Sequence, residues 1–204
     1  MNAPERIALP TRLSEPALDQ LFRAARTHSA WQPLAVTRET LEEVYALAAL
    51  GPTSANTSPA RFVFLTTPEA KQRLLPALAP GNVDKTMAAP VVAIIAYDTK
   101  FYDALPTLFP QVDAKSWFVG NQPLIDATAT RNSALQGAYL MLAARSLGLD
   151  CGPMSGFDAD KLNAEFFPDG DWKVNFICNL GYGDPGKLFP RNPRLAFDEA
   201  CRVM

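Results

Sequence analysis

Histidine is almost absent from this chain of 204 residues, since His28 is the only one. A zinc site with two or three histidines from one chain is therefore excluded, and a Ser-His-Asp triad would have to use His28. The three cysteines, Cys151, Cys178 and Cys201, are widely spaced and form no Cys-x-x-Cys pair. They indicate neither a disulfide framework nor a metal site, and this usage is typical of a cytoplasmic protein.

Long apolar runs and a basic excess are also missing. The longest apolar run, Met87–Tyr97, has 11 residues and contains Pro90, whereas a membrane-spanning helix needs about 20. Residues Met1–Arg6 have no basic stretch that leads into an apolar one, so we predict no signal peptide. With 19 basic and 21 acidic residues the net charge is −2, which gives no general attraction to nucleic acid. We therefore expect a cytoplasmic protein that binds neither membranes nor nucleic acid.

The composition that remains is that of a globular chain. Hydrophobic residues make up 48% and charged residues 20%, which argues against a disordered chain. The length predicts a single domain over residues 1–204. Eighteen prolines and 11 glycines are spread along the chain, so its elements should be short.

Hydrophobic periodicity and capping residues predict an α+β protein in which helices wrap a small sheet. Helices are predicted at 14–26, 37–50, 67–78, 124–147 and 158–167, and strands at 61–66, 90–97 and 173–182. The strand at 90–97 is apolar on both faces and should be central and covered. The helix at 124–147 is apolar on most faces and should be buried. Residues 100–120 are aromatic and broken by proline, which is typical of an excursion or a lid.

Four separated segments carry polar groups at the ends of predicted elements: 26–29, 53–59, 81–85 and 152–158. A basic pair, Arg191 and Arg194, follows the last strand. Arginines together with small hydroxyl residues suit a phosphate group. Asparagine can pair with the imide edge of a ring, and a glycine loop lets backbone amides approach a flat ring. Each segment alone could equally be a cap or a turn, so the residues by themselves indicate a phosphate-containing ligand and no reaction.

These segments resemble the FMN-dependent nitroreductases, and in particular their malonic semialdehyde reductase (RutE-like) branch. The resemblance runs from Leu18 to the C-terminus and is carried by 50–61, 101–110, 130–139 and 147–158. It implies a nitroreductase-like fold with a small mixed or antiparallel sheet. It also implies an obligate homodimer with two FMN sites at the subunit interface, each built from both chains.

The resemblance also assigns site residues. The family pattern implies that FMN is bound by Arg26, Thr27, His28, Thr53, Ser54, Asn56, Asn82, Lys85, Pro153, Met154, Ser155, Gly156, Arg191 and Arg194. Within this set the N-terminal and C-terminal arginines and His28 would lie on the phosphate side. Asn82 and Lys85 would lie at the polar edge of the flavin. A backbone amide of Ser155 or Gly156 would face flavin N5, so no side chain is predicted to be catalytic and no metal is predicted.

The activity implied is the reduction of malonic semialdehyde to 3-hydroxypropionate by NADPH (or NADH) through FMN, as in pyrimidine degradation. Arg61 and Arg131 are candidates to bind the carboxylate of this aldehyde substrate, although Arg131 could equally form a surface or interface salt bridge. A reductase of nitro compounds, quinones or enones on the same scaffold is the first alternative. A flavin-binding protein without turnover is the second.

Overall fold

The computed structural model describes residues 11–204, and its centre is a four-stranded antiparallel sheet. The strands are β1 (Ala60–Leu65), β2 (Val91–Asp98), β3 (Asp150–Met154) and β4 (Trp172–Gly181). Their order is β1-β2-β4-β3, so β1 and β3 form the two edges. All three neighbouring pairs are antiparallel, which confirms the predicted class and decides between a mixed and an antiparallel sheet.

The central strand β2 is buried on both faces, as its continuous apolar sequence predicts. Ala93 and Ile95 point into one hydrophobic cluster, while Val92 and Ile94 point into another on the opposite face. All four side chains are fully buried. The sheet therefore separates two cores, and its edges remain available for other contacts.

Eight α-helices surround the sheet within the described residues. They are α1 (Glu15–Leu18), α2 (Arg38–Ala48), α3 (Pro68–Leu74), α4 (Val83–Met87), α5 (Leu105–Leu108), α6 (Gln122–Ser146), α7 (Ala159–Phe166) and α8 (Phe197–Ala200). Ser14 and Asp158 are the first residues of the predicted helices 14–26 and 158–167. Their side chains cap α1 and α7 by accepting hydrogen bonds from backbone N–H groups of the first turns. Gly148 follows the end of α6 at a φ of 82°, the left-handed conformation expected of a C′ glycine.

Some boundaries differ from the predictions. The first helix stops after a π-helical turn at Asp19–Arg23 and does not reach residue 26. The edge strand β3 was not predicted, because Gly152 and Pro153 are typical of turns. Pairing of β3 with β4 forms this strand, and a proline is tolerated there because it lies at the sheet edge.

The long helix α6 packs against the sheet with one face only. Gly137 lies on that face, where an added Cβ would come within 2.5 Å of the Phe176 ring. The opposite face exposes Leu124, Leu135 and Tyr139. The prediction of a helix buried on most sides is therefore wrong for the single chain, because its apolar residues extend over a face that this chain does not cover.

Residues 101–118 build a third, smaller core around the first turns of α6. Phe101 and Phe118 are buried with ring centroids 5.0 Å apart, and both pack with Ile125. Trp117 stays half exposed. The segment is thus anchored by its own aromatic cluster, and its action as a lid stays a prediction.

Two sequence predictions concern the N-terminus and the membrane. Residues Met1–Arg6, from which no signal peptide was predicted, lie outside the described residues. Across residues 11–204, the helices are all too short or too polar to cross a membrane.

Candidate functional site

A basic cavity of about 400 Å³ lies where the N-terminal segment, the end of α6 and the C-terminal segment meet. Its lining residues are Phe22, Ala25, Arg26, Thr27, Arg145, Arg191, Asn192 and Arg194. Four of these side chains are cationic and none is acidic. Such a concentration of guanidinium groups creates a site for an anion, and arginine binds phosphate and carboxylate groups in two-pronged geometry.

Backbone carbonyls hold these arginines in place. The Nη2 of Arg191 donates to the carbonyls of Arg23 at 2.7 Å and Ala25 at 3.0 Å, and Arg26 donates to the carbonyl of Phe189. Arg194 donates only to its neighbours Asn192 and Pro193. The structure therefore brings together Arg26, Thr27, Arg191 and Arg194, four of the residues predicted to bind FMN.

The edge strand β3 leads from this cavity to a second group of predicted residues. Thr27 pairs with Cys151 as an isolated parallel bridge, so the N-terminal segment runs along the free edge of β3. From Cys151 the strand continues to Met154 and the turn at Ser155–Gly156. At roughly 3.3 Å per residue, Ser155 lies about 13 Å further along the edge.

At that far end, Asn82 and Gly156 are in contact. The Asn82 Nδ2 donates to the Gly156 carbonyl at 2.7 Å, and the backbone of Ala79 donates to the same oxygen at 3.0 Å. A Cβ at position 156 would collide with the Asn82 amide, so glycine is required by space. The turn begins beside Met154, whose sulfur accepts a bond from Thr86 of α4.

Two hydrogen bonds to the backbone carbonyl of Lys85 hold this residue in place. Trp31 Nε1 and Asn179 Nδ2 each donate to that oxygen at 3.1 Å. Asn179 is fully buried in β4 and Trp31 is half-buried. The sequence predictions missed both residues, although an asparagine within the otherwise apolar run of β4 was a visible signal.

His28 does not join the basic cavity. Its side chain is buried against Gly183, where a Cβ would overlap the imidazole ring. Its Nε2 lies 3.4 Å from the Oδ1 of Asp150. The His28 side chain packs against Gly183 and does not line this cavity, whereas its neighbours Arg26 and Thr27 do. Its place on the phosphate side stays a prediction.

The predicted residues Thr53, Ser54 and Asn56 lie in another part of the chain. Ser54 donates its backbone N–H to Asn132 Oδ1 at 2.8 Å, and Asn56 donates to the Leu108 carbonyl at 2.8 Å. Asn132 and Arg145 are both on α6, 13 residues apart, which corresponds to about 20 Å. A single chain thus does not bring this turn to the basic cavity.

The turn itself is strained. Ala55, Asn56 and Ser58 have φ values of 46°, 51° and 40°, in the left-handed region that disfavours residues with a Cβ. Strain of this kind persists only where surrounding contacts impose it, and it concentrates at functional sites.

The two predicted substrate arginines differ. Arg61 Nη2 forms an ion pair of 2.7 Å with Asp98, and its Nη1 donates to the carbonyls of Ser58 and Ala60. The Arg61 charge is thus already paired within the chain, and its role as a carboxylate ligand stays a prediction. Arg131 is exposed on the uncovered face of α6 and makes no salt bridge with any residue in 11–204.

The buried thiols do not supply a nucleophile. Cys151 of β3 and Cys178 of β4 lie two register positions apart on neighbouring strands and are both buried. A hydrogen bond with Cys151, together with burial, raises the pKa of Cys178 well above its ordinary value. Cys178 therefore stays protonated at neutral pH. Within residues 11–204 there is also no cluster of three or more His, Cys, Asp or Glu side chains arranged to hold a metal.

Fold and site together define an α+β protein whose edge strand connects an anion site to a polar turn. Residues 22–182 match the Nitroreductase family. Proteins provisionally named NADH dehydrogenase/NAD(P)H nitroreductase are 60% identical in Ralstonia nicotianae and 62% in Rhodopseudomonas palustris, each over 96% of this chain and 100% of the relative. The chain belongs to the nitroreductase family.

Solved structures support the fold at lower identity. A provisionally named nitroreductase from Exiguobacterium sibiricum, solved in complex with FMN, has a TM-score of 0.83 at 21% identity and covers 96% of this chain and 100% of its own. The enone reductase CLA-ER of gut-bacterial fatty acid saturation has a TM-score of 0.80 at 20% identity and covers 94% and 99%. Both are similar to this chain in fold.

Proposed function

We propose that this protein is an NAD(P)H-dependent oxidoreductase that holds FMN along the edge strand β3. The basic cavity would take the phosphate, and Asn82, Lys85 and the Ser155–Gly156 turn would hold the ring. The observation that carries the proposal is the placement of a cavity lined by four arginines at one end of a strand whose other end leads to the turn where Asn82 contacts Gly156.

Backbone N–H groups that have no acceptor within the fold are suited to bind FMN. The backbone N–H groups of Ser155 and Gly156 donate no backbone hydrogen bond within residues 11–204, so they are free for a ligand atom. Ser155 is exposed and Gly156 and Lys85 are half-buried, so a flat ring could reach them. The FMN in the Exiguobacterium structure and the names of the close relatives support the assignment of FMN and NAD(P)H.

Bound FMN would supply hydride transfer between NADPH and an acceptor, which is chemistry that no side chain of this protein offers. The chain itself provides binding and electrostatics. The Lys85 ammonium favours negative charge on the part of the ring that it faces, while Asn82 orients the polar edge. The Trp31 and Asn179 bonds to the Lys85 carbonyl keep this part of α4 in place.

We propose further that the working form is a homodimer. Leu124, Leu135 and Tyr139 leave an apolar surface on α6, and the C-terminal segment exposes Phe189 and Leu195. Isolated surface hydrophobics are ordinary, but a contiguous set along one helix is typical of an interface. A second copy would also bring its turn at 53–56 to the ring, which explains why one chain leaves that turn about 20 Å from the basic cavity.

For the acceptor we propose malonic semialdehyde, reduced to 3-hydroxypropionate in pyrimidine degradation. Such a substrate carries a carboxylate, and Arg131 is an exposed cation without a salt bridge on the face where we place the partner. The alternative, a nitro, quinone or enone reductase, is supported by the names of the relatives and by the fold of the enone reductase. A flavin protein without turnover is the second alternative.

A spectroscopic titration under anaerobic conditions tests these proposals in sequence. The protein is loaded with FMN, reduced with NADPH or NADH, and then mixed with malonic semialdehyde, a nitroaromatic, a quinone or an enone. We expect NADPH to bleach the flavin bands and malonic semialdehyde to restore them. Failure to bind FMN would contradict the oxidoreductase proposal, and reoxidation by other acceptors alone would contradict only the proposed substrate.

The variant Arg131→Gln separates the acceptors. We expect a KM for malonic semialdehyde raised about tenfold, since a charge-assisted hydrogen bond contributes roughly 1.5–3 kcal/mol, while the KM for an uncharged quinone stays the same. Arg38→Gln is the matched control, because Arg38 is exposed and pairs with Glu42 outside the basic cavity. Equal effects on both acceptors would exclude Arg131 as the carboxylate ligand.

A further inference from the structure

Arg145 lines the basic cavity although it was not among the residues predicted to bind FMN. It lies in the last turn of α6, where Gln20 Nε2 donates to its backbone carbonyl at 2.7 Å. Its Nη1 donates to the Leu21 carbonyl at 3.3 Å. Its Nε is buried and has no hydrogen-bond partner in the described part of the chain. The guanidinium is therefore held in position while part of its bonding capacity is unused.

The charge of Arg145 is also uncompensated. Its side chain lines the cavity together with three further arginines, and no carboxylate from residues 11–204 lines that cavity. Removing a guanidinium from water without a counter-charge costs free energy, and clustering like charges adds to that cost. The C-terminus of a helix favours a cation, which accounts for a positive residue at this position. It does not account for a buried Nε without an acceptor.

We infer that Arg145 is a direct ligand of the anionic group that enters this cavity, and that it helps the protein to select phosphorylated over unphosphorylated flavin. The inference rests on the proposed function for the identity of the ligand. A dianionic phosphate offers several acceptor oxygens, so it can accept hydrogen bonds from the Arg145 guanidinium that lines the cavity and offset part of the charge of the four arginines. Arg145 would then act on affinity and ligand choice and take no part in hydride transfer.

The experiment removes the guanidinium of Arg145 and the phosphate of the flavin independently of each other. Dissociation constants for FMN and for riboflavin, which lacks the phosphate, are measured by flavin fluorescence for wild type, Arg145→Gln and Arg145→Lys. Arg38→Gln is the matched control, since it removes an exposed arginine outside the cavity. Thermal unfolding of each variant reports on folding.

We expect Arg145→Gln to weaken FMN binding about 10- to 100-fold and to leave riboflavin binding within about twofold. Arg145→Lys keeps the positive charge but loses the planar guanidinium that can donate two parallel hydrogen bonds. The loss of FMN affinity should therefore be intermediate. Arg38→Gln should match wild type with both ligands.

Other results would overturn the inference. An unchanged FMN constant for Arg145→Gln would show that the side chain does not contact the phosphate. Equal weakening of both ligands, accompanied by a lower Tm, would assign Arg145 a packing role. If wild type bound neither flavin, the proposed function would be wrong, and calorimetric binding of inorganic phosphate to wild type and Arg145→Gln would then decide the role of Arg145 alone.

Discussion

Two cavities of the molecule differ in how the charges of their arginines are balanced. The larger, about 770 Å³, lies between α2 and β1, and its two arginines are paired, Arg61 with Asp98 and Arg38 with Glu42, both at 2.7 Å. The smaller, about 400 Å³, is lined by four arginines and by no acidic residue of the described range 11–204. Size alone would select the larger cavity as the ligand site. The balance of charge selects the smaller one, because only there does the fold leave cations for a ligand to neutralise.

Arginine side chains therefore have two different roles in this protein. A paired arginine such as Arg61 joins neighbouring strands and contributes to stability. Unbalanced arginines repel one another, and a ligand that binds among them offsets this cost. Substitutions in the larger cavity should therefore change the free energy of unfolding, while substitutions in the smaller one should change ligand affinity.

The largest effect is expected from removing two of the unbalanced charges. The double variant Arg191→Gln/Arg194→Gln should weaken FMN binding at least about 100-fold, since each arginine can make charge-assisted bonds of roughly 1.5–3 kcal/mol. Equilibrium dialysis or fluorescence quenching measures it. The double variant Arg38→Gln/Arg61→Gln is the control and should keep the wild-type constant. Similar losses in both would remove the distinction between the cavities.

A substitution at the other end of β3 should be nearly as damaging. Gly156→Ala places a methyl group against the Asn82 amide, and overpacking of this kind costs about 1–3 kcal/mol. We expect lower FMN affinity together with a lower Tm, measured by fluorescence and thermal unfolding. Gly81→Ala is the matched control, because an added Cβ there meets nothing within 4 Å. Unimpaired FMN binding by Gly156→Ala would place the ring elsewhere.

A smaller effect is expected in the larger cavity. Asp98→Asn breaks the partly buried ion pair with Arg61 and should lower the free energy of unfolding by about 1–2 kcal/mol without changing the FMN constant. Glu42→Gln, which breaks an exposed pair, should cost less than about 0.5 kcal/mol. Denaturant titration measures both. A loss of FMN affinity in Asp98→Asn would tie this cavity to the ligand.

The smallest effect concerns a cation balanced by carbonyls. Lys71 Nζ is buried and donates to the carbonyls of Met87 at 2.9 Å and Ala89 at 2.8 Å. Burial lowers the pKa of Lys71 below its ordinary value of 10.5. Between the lowered pKa of Lys71 in the folded protein and its ordinary pKa in the unfolded chain, the unfolded chain binds more protons than the folded protein. The free energy of unfolding should therefore rise with pH in this range.

The variant Lys71→Met removes this titration. The difference in unfolding free energy between wild type and Lys71→Met should therefore change with pH in that alkaline range, in favour of wild type as the pH rises. Denaturant titrations at several pH values provide the measurement. A difference that stays constant with pH would show that the Lys71 pKa is the same in the folded and unfolded states.

Local patterns were sufficient for much of the fold. The apolar run of β2 predicts a covered central strand, and the caps of α1 and α7 follow from Ser14 and Asp158. The strand β3 escaped prediction because Gly152 and Pro153 indicate a turn, and only pairing with β4 makes them a strand. Long-range pairing of this kind has no signal in a local window.

The site was predicted less completely, for a similar reason. His28 follows Arg26 by two positions, yet its side chain is buried against Gly183, a contact between residues far apart in the chain. Asp98 neutralises Arg61 from the neighbouring strand. Arg145 had the appearance of an ordinary helix C-terminus, and its buried, unsatisfied Nε is visible only in three dimensions.

The most direct measurement is a side-by-side determination of the dissociation constants of FMN and riboflavin for the unaltered protein. The account predicts that FMN binds at least about 100-fold more tightly than riboflavin, because only FMN places a phosphate among the four arginines. Equal affinity for the two flavins would contradict the assignment of the basic cavity to the phosphate, and with it the placement of FMN along β3.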